Sequence, residues 1–370
     1  MRIEAVELRV VELPLRFPFE TSFGRQTAKR CILVTAYADG LAGWGEVPVF
    51  AAPLYNEETV ETAWHVLRDF LIPLLQEPLP HPGEFARRAA HVRRHHMAKA
   101  GLEAALWDLY CQAQNLSLKQ ALGGVRDRIE VGVSLGLEPT VPGLLRRIEA
   151  FVDQGYRRVK LKIRPGWDVE VVQAVRRAFP ELPLQVDANA AYTLEQTPIF
   201  EAMDGLGLLM IEQPLGEADL LGHAHLQRRL RTPLCLDESI VYPQDAHQAI
   251  ALEACRVVNI KPVRLGGLDA ARRTHDLCAR QGVPVWCGGM LETGIGRLTN
   301  LALASLPNFQ LPADLSTSDR YFEEDLIDPP VVLGPDGTIE VPTEAGVAPR
   351  VDLRRVERIT LRRERFSPRG

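Results

Sequence analysis

Five charged residues recur at near-equal intervals along this 370-residue chain: Lys162, Asp187, Glu212, Asp237 and Lys261, spaced 25, 25, 25 and 24 apart. The last four close short apolar runs: LQVD at Asp187, LMIE at Glu212, LCLD at Asp237 and VNIK at Lys261. Runs that are apolar almost throughout suit parallel strands covered on both faces. Amphipathic stretches over residues 141–154, 168–179 and 267–281 lie between such runs. Parallel strands must be joined by a crossover of about a dozen residues or more, so the interval reads as one β/α unit. Eight candidate strands cover residues 130–135, 158–163, 184–188, 208–213, 234–238, 257–261, 285–288 and 309–311. Eight such units predict an α/β fold of the β/α-barrel type, whose active sites lie at the C-terminal ends of the strands. A doubly wound sheet is the alternative, but no Gly-x-Gly-x-x-Gly follows a strand, and the glycines of residues 289–296 have another spacing.

The section before Gly124 follows a different grammar. Residues 2–15, 31–37 and 42–49 read as strands, the last two around the turn Asp39-Gly40, and helical patterns cover 57–76, 82–95 and 99–113. Strands followed by helices predict an α+β unit. From about residue 328 the chain offers strand-like pieces at 330–333 and 338–341, then a basic tail with eight arginines and three acids over residues 350–370.

Composition narrows the function. The net charge is −5, and the basic tail has a single aromatic residue, Phe366. Both argue against nucleic acid as a partner and leave the tail as a solvated surface or a subunit contact of a homo-oligomer. No apolar run reaches membrane-spanning length, and acids at Glu4 and Glu7 interrupt the place of a signal peptide. A cytoplasmic protein is expected. Cys31, Cys111, Cys235, Cys255, Cys278 and Cys287 form no Cys-x-x-Cys and read as buried free thiols, with no zinc site.

A charge closing a buried strand is costly unless it is paired or bound to metal. One such acid is ordinarily a strand or helix cap. Three at equal spacing on neighbouring strands would repel one another, and a divalent cation at their focus removes the conflict. Oxygen ligands alone select a hard ion, Mg²⁺ by default. The lysines flank the acids in strand order, which in a closed barrel puts Lys162 and Lys261 on opposite sides of the metal. A carboxylate substrate chelating that metal would hold its α-carbon between them, and the enolate formed by deprotonation would be neutralised by the cation. Lys160 lies two residues before Lys162 and so faces the same way; its charge is expected to lower the pKa of Lys162. Alone, Lys160-Leu161-Lys162 would read as a solvated strand edge.

These residues resemble the enolase superfamily, in its muconate-cycloisomerase-like subgroup and there the o-succinylbenzoate synthase/N-acylamino-acid racemase branch. The likeness runs nearly the whole chain, through LRFPFETSFG (15–24), PLYNEET (53–59), GVSLG (132–136), GYRRVKLKIRPGWD (155–168), WCGGMLETGIG (286–296) and RYF (320–322). It implies a modified barrel, (β/α)7β, over residues 125–327, and an α+β capping domain built from residues 1–124 and about 328–370. Asp187, Glu212 and Asp237 would bind Mg²⁺, for which Mn²⁺ or another divalent ion may be exchanged. Lys162 would abstract the proton α to the metal-bound carboxylate and return it to a leaving hydroxyl. That syn dehydration gives o-succinylbenzoate for menaquinone synthesis. Lys261 would stabilise the enediolate, as lysines and Mg²⁺ do in enolase-type sites generally. In racemisation of N-acylamino acids both lysines would work, one on each face.

The resemblance also places Asn189 just outside the metal ligands. Phe19 and Phe23 would lie on a mobile capping loop, with Tyr55 beside it. Ser134, Gly288, Gly289 and Met290 would line the succinyl end, and Arg264 would tune Lys261; core packing, a turn and a surface salt bridge are the competing readings for these. Val47 and Val49 stand where the branch usually has Gly and Met, and Ala313 replaces a Gly, which leaves the pocket wall there open. Asp314-Leu315-Ser316 lacks the second acid of dipeptide epimerases, and the sixth and seventh strands offer no His of the mandelate-racemase kind. Muconate cycloisomerase, and a barrel without catalysis, remain as further alternatives.

Overall fold

A computed structural model describes residues 1–21 and 24–369. The N-terminal section forms an antiparallel sheet with strand order Thr360–Phe366, Ala5–Thr21, Gly24–Ala38, Leu41–Val47. The second and third of these make a long hairpin, paired from Ala5↔Tyr37 out to Thr21↔Gly24 with an irregularity between Pro14 and Phe19. Proline has no N–H for the ladder, so pairing loosens there. The outer arm of the hairpin leaves the sheet and reaches the barrel, where Arg16 N donates to Tyr321 O (2.9 Å) and Leu137 N to Glu20 O (3.0 Å).

Helix His96–Gln114 lies on the sheet at very short range. A Cβ on Gly43 would stand 2.2 Å from Ala105 O, and one on Gly45 2.0 Å from Gly101 O. Neither strand position can carry a side chain. The helix N-terminus is capped from a distance: Glu58 accepts from Met97 N (2.7 Å) and Ala98 N (2.9 Å).

The second sheet comprises, among the described residues, seven parallel strands in chain order: Val133–Leu135, Val159–Lys162, Leu184–Asp187, Ile211–Glu212, Leu234–Leu236, Val257–Ile260 and Val285–Cys287. Helices cover it, among them Val141–Asp153, Val169–Ala178 and Leu268–Arg280, each within two residues of its sequence expectation.

Four expectations need correction. The strand expected over 130–135 is split at Gly132, where a Cβ would meet Arg158 Nε at 2.2 Å; Arg128–Glu130 instead pairs antiparallel with Thr338–Glu340. Residues 309–311 form no strand but a single bridge, Val285↔Phe309, between Pro307 and Pro312. Residues 330–333 are not a strand, since Pro329 and Pro330 supply no N–H. The helix expected over 57–76 is regular only over Val60–Val66 and then passes through a π turn and a 3₁₀ turn that contains Pro73.

Thr360–Phe366 places the basic tail at a sheet edge. Arg362 lies over Trp64 (3.8 Å) and Arg365 over Tyr37 (4.3 Å). All six cysteines are buried and free. No helix among the described residues is long and apolar enough to cross a membrane.

Buried acids fasten the N-terminal section to the barrel. Glu46 accepts from Thr293 N (3.0 Å) and Gly296 N (3.2 Å) at the start of helix Gly294–Ala304. Glu103 accepts from Leu268 N (2.5 Å) at the start of helix Leu268–Arg280. Asp108 instead joins the N-terminal section to the C-terminal return, accepting from Trp44 N (2.7 Å) and Val347 N (2.6 Å).

Candidate active site

Strand register sets the site. Lys162 is paired with Asp187, and Asp187 with Glu212. Asp237 and Lys261 follow directly on the strands Leu234–Leu236 and Val257–Ile260. All five side chains are buried, as is Lys160. Lys162 Nζ donates to Asp187 Oδ2 (2.6 Å) and Asn189 Oδ1 (2.7 Å), and Asn189 Nδ2 donates to Glu238 Oε1 (2.9 Å). Asn189 sits at φ +44°, a left-handed conformation that asparagine tolerates. Lys261 Nζ donates to Asp237 Oδ2 (2.7 Å) and Tyr55 Oη (3.4 Å), 3.6 Å from Met290 Sδ.

Lys160 Nζ is surrounded by Asp314 (2.8 Å), Asp187 (3.3 Å) and Glu212 (3.3 Å). Burial alone would lower its pKa, but these three carboxylates outweigh it and hold the amine well above its ordinary value. Lys160 thus stands among three carboxylates, one of which, Asp187, it shares with Lys162. Asp314 is itself held by Ser134 Oγ at 2.8 Å. Burial works against its charge, yet Lys160 and Arg158 bring its pKa down to about 2.

The strand-end acids respond unequally. Burial raises each, but Lys162 and Lys160 bring Asp187 below its ordinary value, and Lys261 and Arg264 hold Asp237 well below. Glu212 is pushed up to about 8 by burial and by repulsion from Asp187 and Asp237. Glu238 rises to about 7 through burial and the same two neighbours. Its Oε2 has no hydrogen-bond partner. Among the described residues, no three acids, His or Cys stand ready-arranged as a metal cage, because each strand-end acid is turned to a lysine or amide. The donor chemistry nonetheless fits a hard divalent ion. The set is all oxygen, and one member is forced towards protonation by the charge of the others, a repulsion that such an ion removes.

Above the acids lies a pocket whose empty volume, counted out to its open mouth, is about 740 Å³, within the range of small-ligand sites. Lys160, Lys162, Lys261, Asn189, Ser134, Tyr55, Phe19, Gly289 and Met290 line it. Phe23 lies outside the described residues. Gly288 and Arg264 do not line the pocket. A Cβ on Gly288 would stand 2.7 Å from Lys261 Cε, so this glycine makes room for the lysine. Arg264 is buried behind Asp237, bonded to its Oδ1, to Ile240 O (2.7 Å) and to Asn259 O (2.5 Å), which removes the surface reading. Val47 and Val49 are fully buried in the core, and Phe50 faces the pocket in their stead.

Gln26, Phe50, Glu292, Arg297, Asp314 and Tyr321 also line the pocket, although the sequence pattern assigns none of them a role there. Asp314 follows the segment that forms no regular strand, so periodicity does not reach it. Glu238 carried one usable signal, a second acid directly after a strand-ending acid.

Residues 3–123 match the family "Mandelate racemase / muconate lactonizing enzyme, N-terminal domain", and residues 143–355 match "Enolase C-terminal domain-like". An o-succinylbenzoate synthase of Geobacillus kaustophilus is 53% identical over 97% of this chain and 96% of that protein. An N-succinylamino acid racemase of Thermus thermophilus is 49% identical over 98% of each. A solved enolase-superfamily structure from Listeria innocua superposes with a TM-score of 0.96 at 39% identity, covering 100% of both chains. Enolase-superfamily proteins of this kind use a divalent metal. The chain belongs to the enolase superfamily, in the branch that holds the o-succinylbenzoate synthases and N-succinylamino acid racemases.

Proposed function

We propose that this enzyme is an o-succinylbenzoate synthase that dehydrates 2-succinyl-6-hydroxy-2,4-cyclohexadiene-1-carboxylate. The observation that carries this reading is one pocket with amines from the second and sixth barrel strands in its wall, each bonded to a strand-end carboxylate: Lys162 to Asp187, Lys160 to Glu212 and Lys261 to Asp237. In this reading Asp187, Glu212 and Asp237 hold the divalent ion, Mg²⁺, which supplies positive charge to the substrate carboxylate when bound. Lys162 takes the proton from the α-carbon, and the electron pair moves into the carboxylate as an enediolate. Lys261, as an ammonium, balances that charge. The enediolate collapses, the C–O bond at the neighbouring carbon breaks, and Lys162 returns its proton to the departing hydroxyl as water. Asn189 fixes the direction of Lys162, and Tyr55 and Met290 that of Lys261. A cytoplasmic setting belongs to the reading and is supported by the six free thiols.

Racemisation of N-succinylamino acids is the second reading, favoured by the presence of both amines in the pocket wall: one lysine removes the proton and the other delivers one to the opposite face. Turnover of the cyclohexadiene carboxylate and of several N-succinyl- and N-acetylamino acids, each with Mg²⁺, tests both. Failure to turn over the first substrate ends the synthase reading. Chelation is expected to abolish activity, and added Mg²⁺ or Mn²⁺ to restore it.

A further inference from the structure

We infer that Arg297 recognises the second, distal carboxylate of the substrate. The inference rests on the reading above, in which the first carboxylate lies at the lysine end.

The lysine end of the pocket is rich in ion pairs. Lys160, Lys162, Lys261 and Arg264 each have a carboxylate partner. The wall near Tyr321 differs. Arg297, in the first turns of helix Gly294–Ala304, is buried and lines the pocket. Its Nη1 donates to Ser316 O (2.6 Å) and its Nη2 to Glu292 O (2.7 Å), and its guanidinium lies 5.6 Å from the Tyr321 ring centre. Arg320 approaches the same ring at 5.0 Å and donates to Ser134 O (3.0 Å), while its Nε has no partner. Among the described residues, no carboxylate lies within 4.0 Å of either guanidinium.

The neighbouring acids take their hydrogen bonds from other groups; one of them, Glu292, also lines the pocket and is held by neutral donors. Glu292 accepts from Met290 N (2.7 Å) and Asn300 Nδ2 (3.0 Å), Glu46 holds Thr293, and Asp314 holds Lys160 and Ser134. Arg297 therefore meets two backbone carbonyls and the Tyr321 ring, while Arg320 lies against Ser134 O and the rings of Phe151 and Tyr321. Carbonyls orient a guanidinium but do not cancel its charge, and a buried charge without a counter-ion is costly. Arg297 is the one of the two that lines the pocket, and a carboxylate entering there would find a guanidinium already oriented by two fixed acceptors. A succinyl group carries such a carboxylate at the end away from the reacting carbon; an acetyl group does not.

The test is calorimetric binding to the Mg²⁺-loaded enzyme of two probes, 2-succinylbenzoate and 2-butyrylbenzoate, which differ in the distal carboxylate. Wild type should prefer the succinyl compound. In Arg297→Met that preference, taken as the ratio of the two Kd values, should fall by about 10- to 100-fold, the usual weight of a charge-assisted hydrogen bond. Arg297→Lys keeps the charge without the fork and should lose part of the preference, which decides the matter if Arg297→Met does not fold. A ratio equal to wild type in the folded variants overturns the assignment, because a purely structural arginine would weaken both probes alike. Wild type binding neither probe would instead overturn the reading of the site on which the inference rests.

Discussion

Lys162 and Lys261 are chemically the same residue in two settings. Lys162 Nζ lies between a carboxylate and an amide oxygen. Lys261 Nζ lies among a carboxylate, a phenol and a thioether. Burial favours the neutral amine at Lys261, yet Asp237, Tyr55 and Glu238 outweigh it and hold the pKa well above its ordinary value. Each amine belongs to one face of the α-carbon, so the two should be separable by isotope exchange. In D₂O, Lys261→Ala is expected to wash deuterium into one enantiomer of an N-succinylamino acid, and Lys162→Ala into the other, with racemisation down by about 10³-fold or more in each. Mass spectrometry of the recovered enantiomers measures this; exchange of both enantiomers by either variant would show that the faces are misassigned. At this scale the sequence was most legible where a charge broke an apolar run, as at Asp187, Glu212 and Asp237. It was least legible at Arg297 and Asp314, which sit on irregular backbone or inside a helix, where no periodicity singles them out.

Elements explain how the pocket is roofed. The hairpin of Ala5–Thr21 and Gly24–Ala38 touches the barrel at two backbone hydrogen bonds, Arg16 N to Tyr321 O and Leu137 N to Glu20 O. Beside the second, a Cβ on Gly136 would stand 2.7 Å from Glu20 O and 3.0 Å from Glu20 N. The hairpin can dock only because residue 136 has no side chain. Gly136→Ala should therefore lift this arm, with Phe19 and Thr21 leaving the pocket wall. The expected result is a several-fold rise in KM and a smaller change in kcat, the crowding being relieved by movement of the arm. An unchanged KM would mean that this contact does not hold the roof. Strands with uniform apolar character and helices with clear amphipathicity were readable from sequence to within a few residues. Those that failed, at 130–135, 309–311 and 330–333, are where a proline or a backbone contact decides the pairing, information that the hydrophobic pattern does not contain.

Across the whole molecule, the seam between sheet and barrel depends on buried carboxylates at helix N-termini. Burial pushes Glu103 up to about 8 from an ordinary 4.5, against the pull of the backbone N–H groups that it accepts. A folded-state pKa above the unfolded one means that the native protein holds more protons between those values. Stability from this group is thus full below about 4.5 and lost as pH rises towards 8. Tm should decline across that window, and Glu103→Gln, which keeps an acceptor and cannot ionise, should flatten the decline; the same slope in both proteins would place its cause elsewhere. The acids of this seam were not legible as such, because Glu46, Glu103 and Asp108 look in sequence like ordinary solvent-facing charges. Apart from Trp44, which Asp108 also holds, their partners lie more than 150 residues away, in the barrel or near residue 347.

The pairing of Thr360–Phe366 with Ala5–Thr21 has a consequence for biosynthesis. A ribosome delivers the chain from its N-terminus, so the first three strands of that sheet emerge early but wait for their fourth until the barrel between them has been made. The roof of the pocket is completed after its floor. A nascent chain stalled before residue 360 would expose an open sheet edge along Val6 to Val11, the kind of surface that chaperones shield and that seeds aggregation when they do not.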